Sequence, residues 1–463
     1  MRGAGPRAER AGKGRFRRSR AREERADFVQ AAVAATLVGL FVVLALLEVP
    51  IAFSLGLSAL ATVLLFLPGQ GLAILAHQVV GSLMHESLMA IPLFIAAGLA
   101  FSRSGVASRL VRLARLMVGG LPGGLGVVAV AVSMFFAAMS GSGPATVAAI
   151  GSLMIPALAE NGYDRGFAAG LLAASGGLGI IIPPSIAMVI YGLLAEENVL
   201  HLFIAGVLPG VVVGVALIGY TVWASWRRGY GSAAQRVARG ELPRALVGAL
   251  PGLAAPVVIL VCIYGGFSSP TRVAAVAVVY AVVVDLVFYR DLGLRALIGV
   301  FRQAAVVSSQ VLVIVAAASL FAWVLEDQGI TTAAVTWMSH LPAPRWAMLL
   351  LINAALLAAG CVADAISIYY IFVPILLPVV KHLGVSPLHF GVILAVNLAI
   401  GQVTPPVGVN LFVACGVAKL PLERVSRAAM PFILAEVAAL GVIVFCPALS
   451  EALLRLLPGG IRG

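Results

Sequence analysis

A Gly-x-x-x-Pro-Pro pattern occurs twice in this chain, each time inside an otherwise unbroken apolar run. The copies are Gly179-Ile180-Ile181-Ile182-Pro183-Pro184 and Gly401-Gln402-Val403-Thr404-Pro405-Pro406, and the two glycines set the offset at 222 residues. A proline lacks the N–H that a helix interior needs, and its ring clashes with the preceding turn. The residue before it is pushed out of helical geometry as well. Each apolar run is therefore a helix that breaks. In hydrocarbon, a break leaves backbone polar groups that other parts of the protein must satisfy.

The surroundings are hydrocarbon-like. The chain has 463 residues, of which 61% are hydrophobic and 11% charged. A soluble chain carries about a quarter charged residues. Apolar runs near span length recur along most of the chain, which defines an all-α polytopic membrane protein. Their continuity excludes the alternating pattern of a β-barrel. The net charge of +12 does not indicate nucleic acid, because ten Lys/Arg fall within residues 1–25 and most others lie in short loops. That is how a membrane protein marks its cytoplasmic side. Residues 1–27 read as a disordered basic arm on anionic membrane lipid, not as a signal peptide. Cys262, Cys361, Cys415 and Cys446, and six scattered histidines, show no metal-ligand spacing. No cofactor is expected.

Spans are read at 28–47, 51–67, 87–101, 202–226, 245–267, 273–288, 300–325, 346–359 and 430–446, with a loop at 68–86. Asp285 is placed at an interface. The arginines at 103, 109, 112 and 115 alternate with leucine and valine, as in a helix lying in the membrane interface. Counting 28–47, 51–67 and 87–101 as single crossings puts this basic segment and the basic arm on opposite sides, against the charge rule. The basic loop 227–244 divides a first membrane repeat, 28–226, from a second, 245–463.

The offset holds beyond the prolines. Pro156 matches Pro378, Gly162 matches Gly384, Ser175 meets Asn397, Ser142 meets Asp364, and Ala145 meets Ser367. The shared positions are those that set the backbone, which marks a duplicated structure. Paired Gly/Pro interruptions in two halves of a membrane chain point to a transport site near the bilayer midplane. If Pro184 and Pro406 start helices, those N-termini suit an anion. The carbonyls freed by the breaks, with nearby hydroxyl and carboxylate oxygens, suit a hard cation such as Na⁺.

The candidate sodium ligands are Ser140, Ser142, Gly143, Gly179, Gly360, Asp364, Ser367, Gly401 and Thr404. The candidate substrate contacts are Ser175, Pro184, Ser185, Asn397, Pro406 and Asn410. Ser175 and Asn397 serve equally well as interhelical hydrogen-bonding groups. Thr404 and Asn410 fit a second cation site, a substrate contact or packing. Arg165, Lys381 and Arg302 read as interfacial.

The runs MFFAAMSGSGPATVAAIGSLMIPAL, ASGGLGIIIPPSIAMVIYG and FGVILAVNLAIGQVTPPVGVNLFVACGVA resemble the large transmembrane subunit of TRAP (tripartite ATP-independent periplasmic) transporters. EVPIAFSLGLSAL, AIPLFIAAGLAFSRSGVASRLV and PFILAEVAALGVIVFCPALS resemble it too, so the likeness covers about residues 30–460. The resemblance implies two inverted repeats, each with a re-entrant hairpin and a broken helix, in an elevator-type fold of the bacterial inner membrane. The hairpin tips would be residues 140–146 and 360–367. It further implies uptake of a carboxylate-bearing organic anion driven by the sodium gradient. The partners would be a soluble periplasmic binding protein and a small transmembrane subunit. The basic arm precedes the usual start of such subunits. Arg272 follows Pro270-Thr271 where the family tends to have a glutamate, and nothing in the sequence explains that change.

Other classes fit less well. A stand-alone carrier of the same superfamily would need no binding protein. An intramembrane serine hydrolase using Ser140 or Ser175 would need a positioned base, and no histidine lies in a span where one is required. An ATP-driven pump would need a P-loop, which the chain lacks.

Overall fold

Helix ends in this chain fall where the sequence supplies a glycine, a proline or a capping side chain. The computed structural model describes residues 29–67, 69, 72–118, 123–230, 240–265, 269–340 and 343–456. The basic arm and residues 231–239 of the central loop lie outside them. Among the described residues there is no strand, and nine helices are long and apolar enough to cross a membrane.

In chain order the helices are α1 (Val29–Leu46), α2 (Ile51–Phe66), α3 (Leu72–Leu83), α4 (Ala90–Arg103) and α5 (Val106–Val118). Then come α6 (Gly124–Ser140), α7 (Gly143–Glu160), α8 (Arg165–Ile181), α9 (Ile186–Ala195) and α10 (Val199–Arg228). The second half holds α11 (Glu241–Tyr264), α12 (Pro270–Val283), α13 (Leu294–Asp327), α14 (Ile330–Ser339) and α15 (Arg345–Gly360). It closes with α16 (Ala365–His382), α17 (Pro387–Gly401), α18 (Val409–Ala418), α19 (Leu422–Phe445) and the short α20 (Ala448–Glu451).

Three expectations change. The segment 68–86 is not all loop, because α3 occupies most of it. At twelve residues α3 is about 18 Å long, too short to cross a hydrocarbon core alone. The crossing count that set the two basic segments at odds omitted this helix. Asp285 is not interfacial in the sense of being exposed: it is 1% accessible, and its carboxylate accepts from Leu292 N–H at 3.2 and 3.3 Å. It sits in a π-helical turn, Val284–Tyr289, that ends α12. Third, the prolines do not start helices. The chain restarts at Ile186 after the cap Ser185 and at Val409 after the cap Gly408. A hydroxyl that accepts from Met188 N–H (3.4 Å) makes Ser185 the better helix start.

The described residues pack as two units. The smaller takes its residues from 1–83 and 313–341, hence α1–α3, the end of α13 and α14. In it, Phe41 meets Phe321 edge-on at 5.9 Å, and the Gln30 side chain donates to the Gln328 carbonyl at 2.8 Å. The larger unit, 84–312 and 342–463, holds both hairpins and both helix breaks.

Within the larger unit the two repeats run in opposite directions. Asp164, at the start of α8, pairs with Arg424 at the start of α19 (3.0 Å). His389, near the start of α17, bonds Ser450 at 2.9 Å and reaches the Val444 carbonyl at 3.4 Å, both beyond or at the far end of α19. The 24 residues of α19 span about 36 Å. The matched helices α8 and α17 therefore enter from opposite ends. They meet near their breaks, where a Cβ on Gly177 would lie 3.0 Å from the Ala399 carbonyl oxygen.

Candidate functional site

The first hairpin is α6–α7. α6 ends at Ser140 because Gly141 takes a left-handed conformation (φ 61°) that closes the helix, and α7 begins at Gly143 with Pro144 in its first turn. The tip is held by hydroxyls. Ser140 Oγ lies 2.8 Å from Thr146 Oγ1, and Thr146 Oγ1 donates to the Ser142 carbonyl at 3.0 Å. The second hairpin is α15–α16, with its tip at residues 361–364. There Asp364 caps α16: one carboxylate oxygen accepts from Ile366 and Ser367 N–H (3.0 and 3.3 Å), the other from Ser367 Oγ (2.6 Å).

Each tip rests on the break of its own repeat, backbone against backbone. A Cβ on Gly179 would stand 2.7 Å from both the carbonyl carbon and oxygen of Ser142, and one on Gly141 would stand 2.7 Å from the Pro184 carbonyl oxygen. In the second repeat a Cβ on Gly401 would stand 2.6 Å from Gly360 Cα, and Val407 N–H donates to the Cys361 carbonyl at 3.1 Å. Only glycine lets backbones approach so closely. The helices on either side of each junction bring free carbonyl and N–H ends to it. Both Pro-Pro bonds are cis.

The first tip also touches the second break. A Cβ on Gly143 would stand 2.6 Å from Gln402 Oε1 and 2.9 Å from Asn410 Oδ1. Gln402 sits at the C-terminal end of α17 and Asn410 in the first turn of α18. Both are more than nine-tenths buried, and neither oxygen has a hydrogen-bond partner. At the places matched to Gln402, Thr404 and Asn410 in the first repeat stand Ile180, Ile182 and Met188. Met188 and Ile182 point elsewhere, into α10, where they fill the space beside Gly206 and Gly210.

The structure brings Ser140, Ser142, Gly143 and Gly179 together at one junction and Gly360 and Gly401 at the other. Asp364 and Ser367 flank the second tip. Thr404 is turned back on its own helix, its hydroxyl donating to the Ile400 carbonyl at 2.7 Å. Ser175 does the same to Leu171 (2.8 Å). Asn397 donates to Asn353 Oδ1 (2.6 Å) and to the Ile393 carbonyl (2.9 Å), while its own oxygen is unpartnered. Pro406 is exposed, whereas Asn410 is fully buried. Arg165, Lys381 and Arg302 are exposed.

Sequence reasoning missed two of these groups, Asn353 and Gln402, and placed Thr146 in the first tip without giving it a role. Gln402 carried a signal, since it is the polar residue inside the repeated motif where the first copy has Ile180. Among the described residues no cluster of His, Cys, Asp and Glu of metal-site size occurs. Ser140 and Ser175 find a hydroxyl and a carbonyl as partners and no base.

Antiparallel repeats whose hairpin tips close on helix breaks, inside an apolar helical unit, define a multi-pass membrane permease. The chain matches the family model described as "Tripartite ATP-independent periplasmic transporter, DctM component" over residues 38–449, and it belongs to that family. It is therefore a large permease component of the bacterial inner membrane.

Similar proteins include the isethionate TRAP transporter permease protein DctMQ of Oleidesulfovibrio alaskensis, 41% identical over 89% of this chain. The chain spans 65% of that relative's length. The C4-dicarboxylate TRAP transporter large permease protein DctM of Pseudomonas aeruginosa is 41% identical over 86% of this chain and 93% of its own. The sialic acid large permease SiaM of Vibrio cholerae is 31% identical over 89% of this chain and 96% of its own. The fold resembles the crystal structure of the Alcanivorax borkumensis YdaH transporter, with a TM-score of 0.64 at 15% identity over 90% of this chain and 99% of that one.

Proposed function

We propose that this chain is the membrane carrier of a sodium-driven importer of a small organic anion. A soluble periplasmic binding protein delivers the anion, a small transmembrane subunit supports the carrier, and the hairpin-bearing core moves as an elevator. The observation that supports this reading is the seating of each hairpin tip on the break of its own repeat. Such a junction gathers backbone carbonyls, and hydroxyls stand beside it at Ser140, Ser142 and Ser367. That donor set suits a hard cation held without a fixed charge. The first site would use Ser140, Ser142, Gly143 and Gly179. The second would use Gly360, Gly401 and Thr404, with Asp364 and Ser367 beside it. The organic anion is supported by the relatives, which are named as permeases for isethionate, C4-dicarboxylates and sialic acid.

The test is uptake of labelled succinate, isethionate and sialic acid into proteoliposomes holding the chain with its cognate partners. Uptake is expected to need an inward sodium gradient and the binding protein. Uptake that persists without sodium sinks the coupling, and uptake without the binding protein marks a stand-alone carrier. Asp364→Asn refines the second site. Asparagine caps as well as aspartate, so a raised half-saturating sodium concentration would report the charge, and an unchanged one would assign Asp364 to capping alone.

A further inference from the structure

Along α19 one stripe is turned inward. Val425, Ala429, Phe432, Glu436, Ala439 and Ile443 are all buried, at the three- and four-residue steps of one helix face. Five of the six are apolar, and the other is a carboxylic acid. Glu436 is 1% accessible. About 21 Å of helix separates it from Leu422 and about 14 Å from Phe445, so it lies well inside the span.

α19 packs against α8, α10, α17 and α18, and α8 and α17 are the helices that end in the two breaks. Phe432, one turn before the acid, meets Phe167 of α8 at 5.2 Å and Tyr220 of α10 at 4.8 Å. The charged groups of these helices stand towards their ends. Arg165 opens α8, and Arg227 and Arg228 close α10. Arg424, on α19 itself, is taken by Asp164, and Arg427 is exposed. His389 of α17 bonds Ser450 and reaches Val444, eight residues beyond the acid. His201 lies about 28 Å along α10 from Tyr220, and α18 brings Cys415. Among the described residues none of these makes an ion pair or a hydrogen bond with Glu436, and its Oε2 is buried without a partner. Asp285 is buried as deeply, but Leu292 N–H answers it. The 222-residue offset matches Glu436 to Gly214, so the acid is no part of the repeated backbone.

An ionised carboxylate without a counter-charge is too costly to keep in such a place. A metal ion needs several oxygens, and the acid's nearest buried neighbours on its own helix are Phe432, Ile433, Ala439 and Leu440. A proton needs the carboxyl alone. We propose that Glu436 is a proton-binding site between the helices that carry the two breaks, and that loss of its proton opposes uptake. The second half rests on the transport reading above; the first does not. A neutral acid lets α19 stay packed on α8 and α17, whereas a charge there demands water or a counter-ion and loosens that packing.

Two measurements test this. In infrared spectra of the purified chain in detergent near pH 7, subtracting Glu436→Gln or Glu436→Met from wild type is expected to leave the C=O stretch of a protonated carboxyl. The methionine variant has no side-chain carbonyl of its own and serves if the glutamine variant does not fold. A difference spectrum showing an ionised carboxylate overturns the proton site. In proteoliposomes at a fixed sodium gradient, wild-type uptake is expected to fall by about threefold or more between about pH 6 and 9, and that of Glu436→Gln by less than about twofold. Superimposable pH profiles overturn the link to uptake, and a severalfold rise in the half-saturating sodium concentration of Glu436→Gln marks a metal site instead. If the wild type carries none of succinate, isethionate or sialic acid, the transport reading fails and the infrared difference still decides the proton site.

Discussion

At Gly179 there is no room for a methyl group. The Ser142 carbonyl stands 2.7 Å from the place it would occupy, and both partners are backbone, which cannot rotate aside. Gly179→Ala is expected to lower stability by about 1–3 kcal/mol through overpacking and to abolish uptake, because it lifts the first tip off its break. Gly441→Ala in α19 is the control. A Cβ there meets nothing within 4 Å, so that variant should melt at or slightly above wild type, by up to about 1 kcal/mol of helix propensity. Thermal unfolding in detergent measures both. The glycines were legible in the sequence because their spacing to Pro-Pro repeats. The direction of Ser175 and Thr404 was not. A hydroxyl on a helix chooses between its own i−4 carbonyl and a neighbour by rotamer and packing, and the pattern of residues does not record that choice. Both hydroxyls turned back on their own helices.

Among the elements, α5 shows how much a hydrophobic pattern reveals and where it stops. Its alternating arginines mark an amphipathic helix, and the structure shows what one of them does. Arg109 bonds Asp291 at 2.6 Å and lies 4.0 Å over the Tyr289 ring, while Asp291 also accepts from Gly105 N–H at 3.1 Å. Tyr289 in turn accepts from Gly252 N–H at 2.9 Å. These bonds tie α5 to α11 and to the turn after α12. The Arg109 guanidinium, with the Gly105 amide, holds the Asp291 carboxyl below its ordinary range. A depressed folded value means that the tie contributes fully above the unfolded value, about 3.9, and is lost as pH falls through the lower folded one. The stability difference between wild type and Asp291→Asn should therefore be constant from about pH 6 to 8, shrink as pH falls through the unfolded value, and vanish below the depressed folded one. It should stay under about 1 kcal/mol, because both side chains are about one-third exposed. Melting curves across that range test it. Two elements escaped the sequence reading. α3 is only twelve residues and carries His77 and Gln78, and α14 is ten residues with three threonines.

At the scale of the whole molecule, the repeat was legible because glycine and proline set the backbone wherever they fall. Which tip touches which break was not, since Gly143 meets Gln402 and Asn410 across more than half the chain. The antiparallel course of α8 and α17 yields a sharp expectation. Glu160, at the end of α7, and His382, at the end of α16, are matched by the 222-residue offset, and both are exposed. The last turn of α10 carries Arg227 and Arg228, and Arg228 lies 5.4 Å over Phe167 near the start of α8. By the positive-inside rule that end is cytoplasmic. In a background with the four native cysteines replaced, Glu160→Cys should react with an impermeant thiol reagent only from the cytoplasmic side, and His382→Cys only from the periplasmic side. Labelling of both from one side would refute the antiparallel arrangement.

The two breaks share a backbone and differ in chemistry, and this has a consequence for how the gene is free to drift. Ile182 and Met188 answer to volume, because they fill α10's glycine-lined groove. Gln402 and Asn410 answer to hydrogen bonding. The copies are thus screened by different criteria: the first tolerates any apolar side chain of the right size, and the second tolerates size changes before it tolerates the loss of an amide. One repeated backbone thus carries two chemistries, apolar packing at the first break and buried amides at the second.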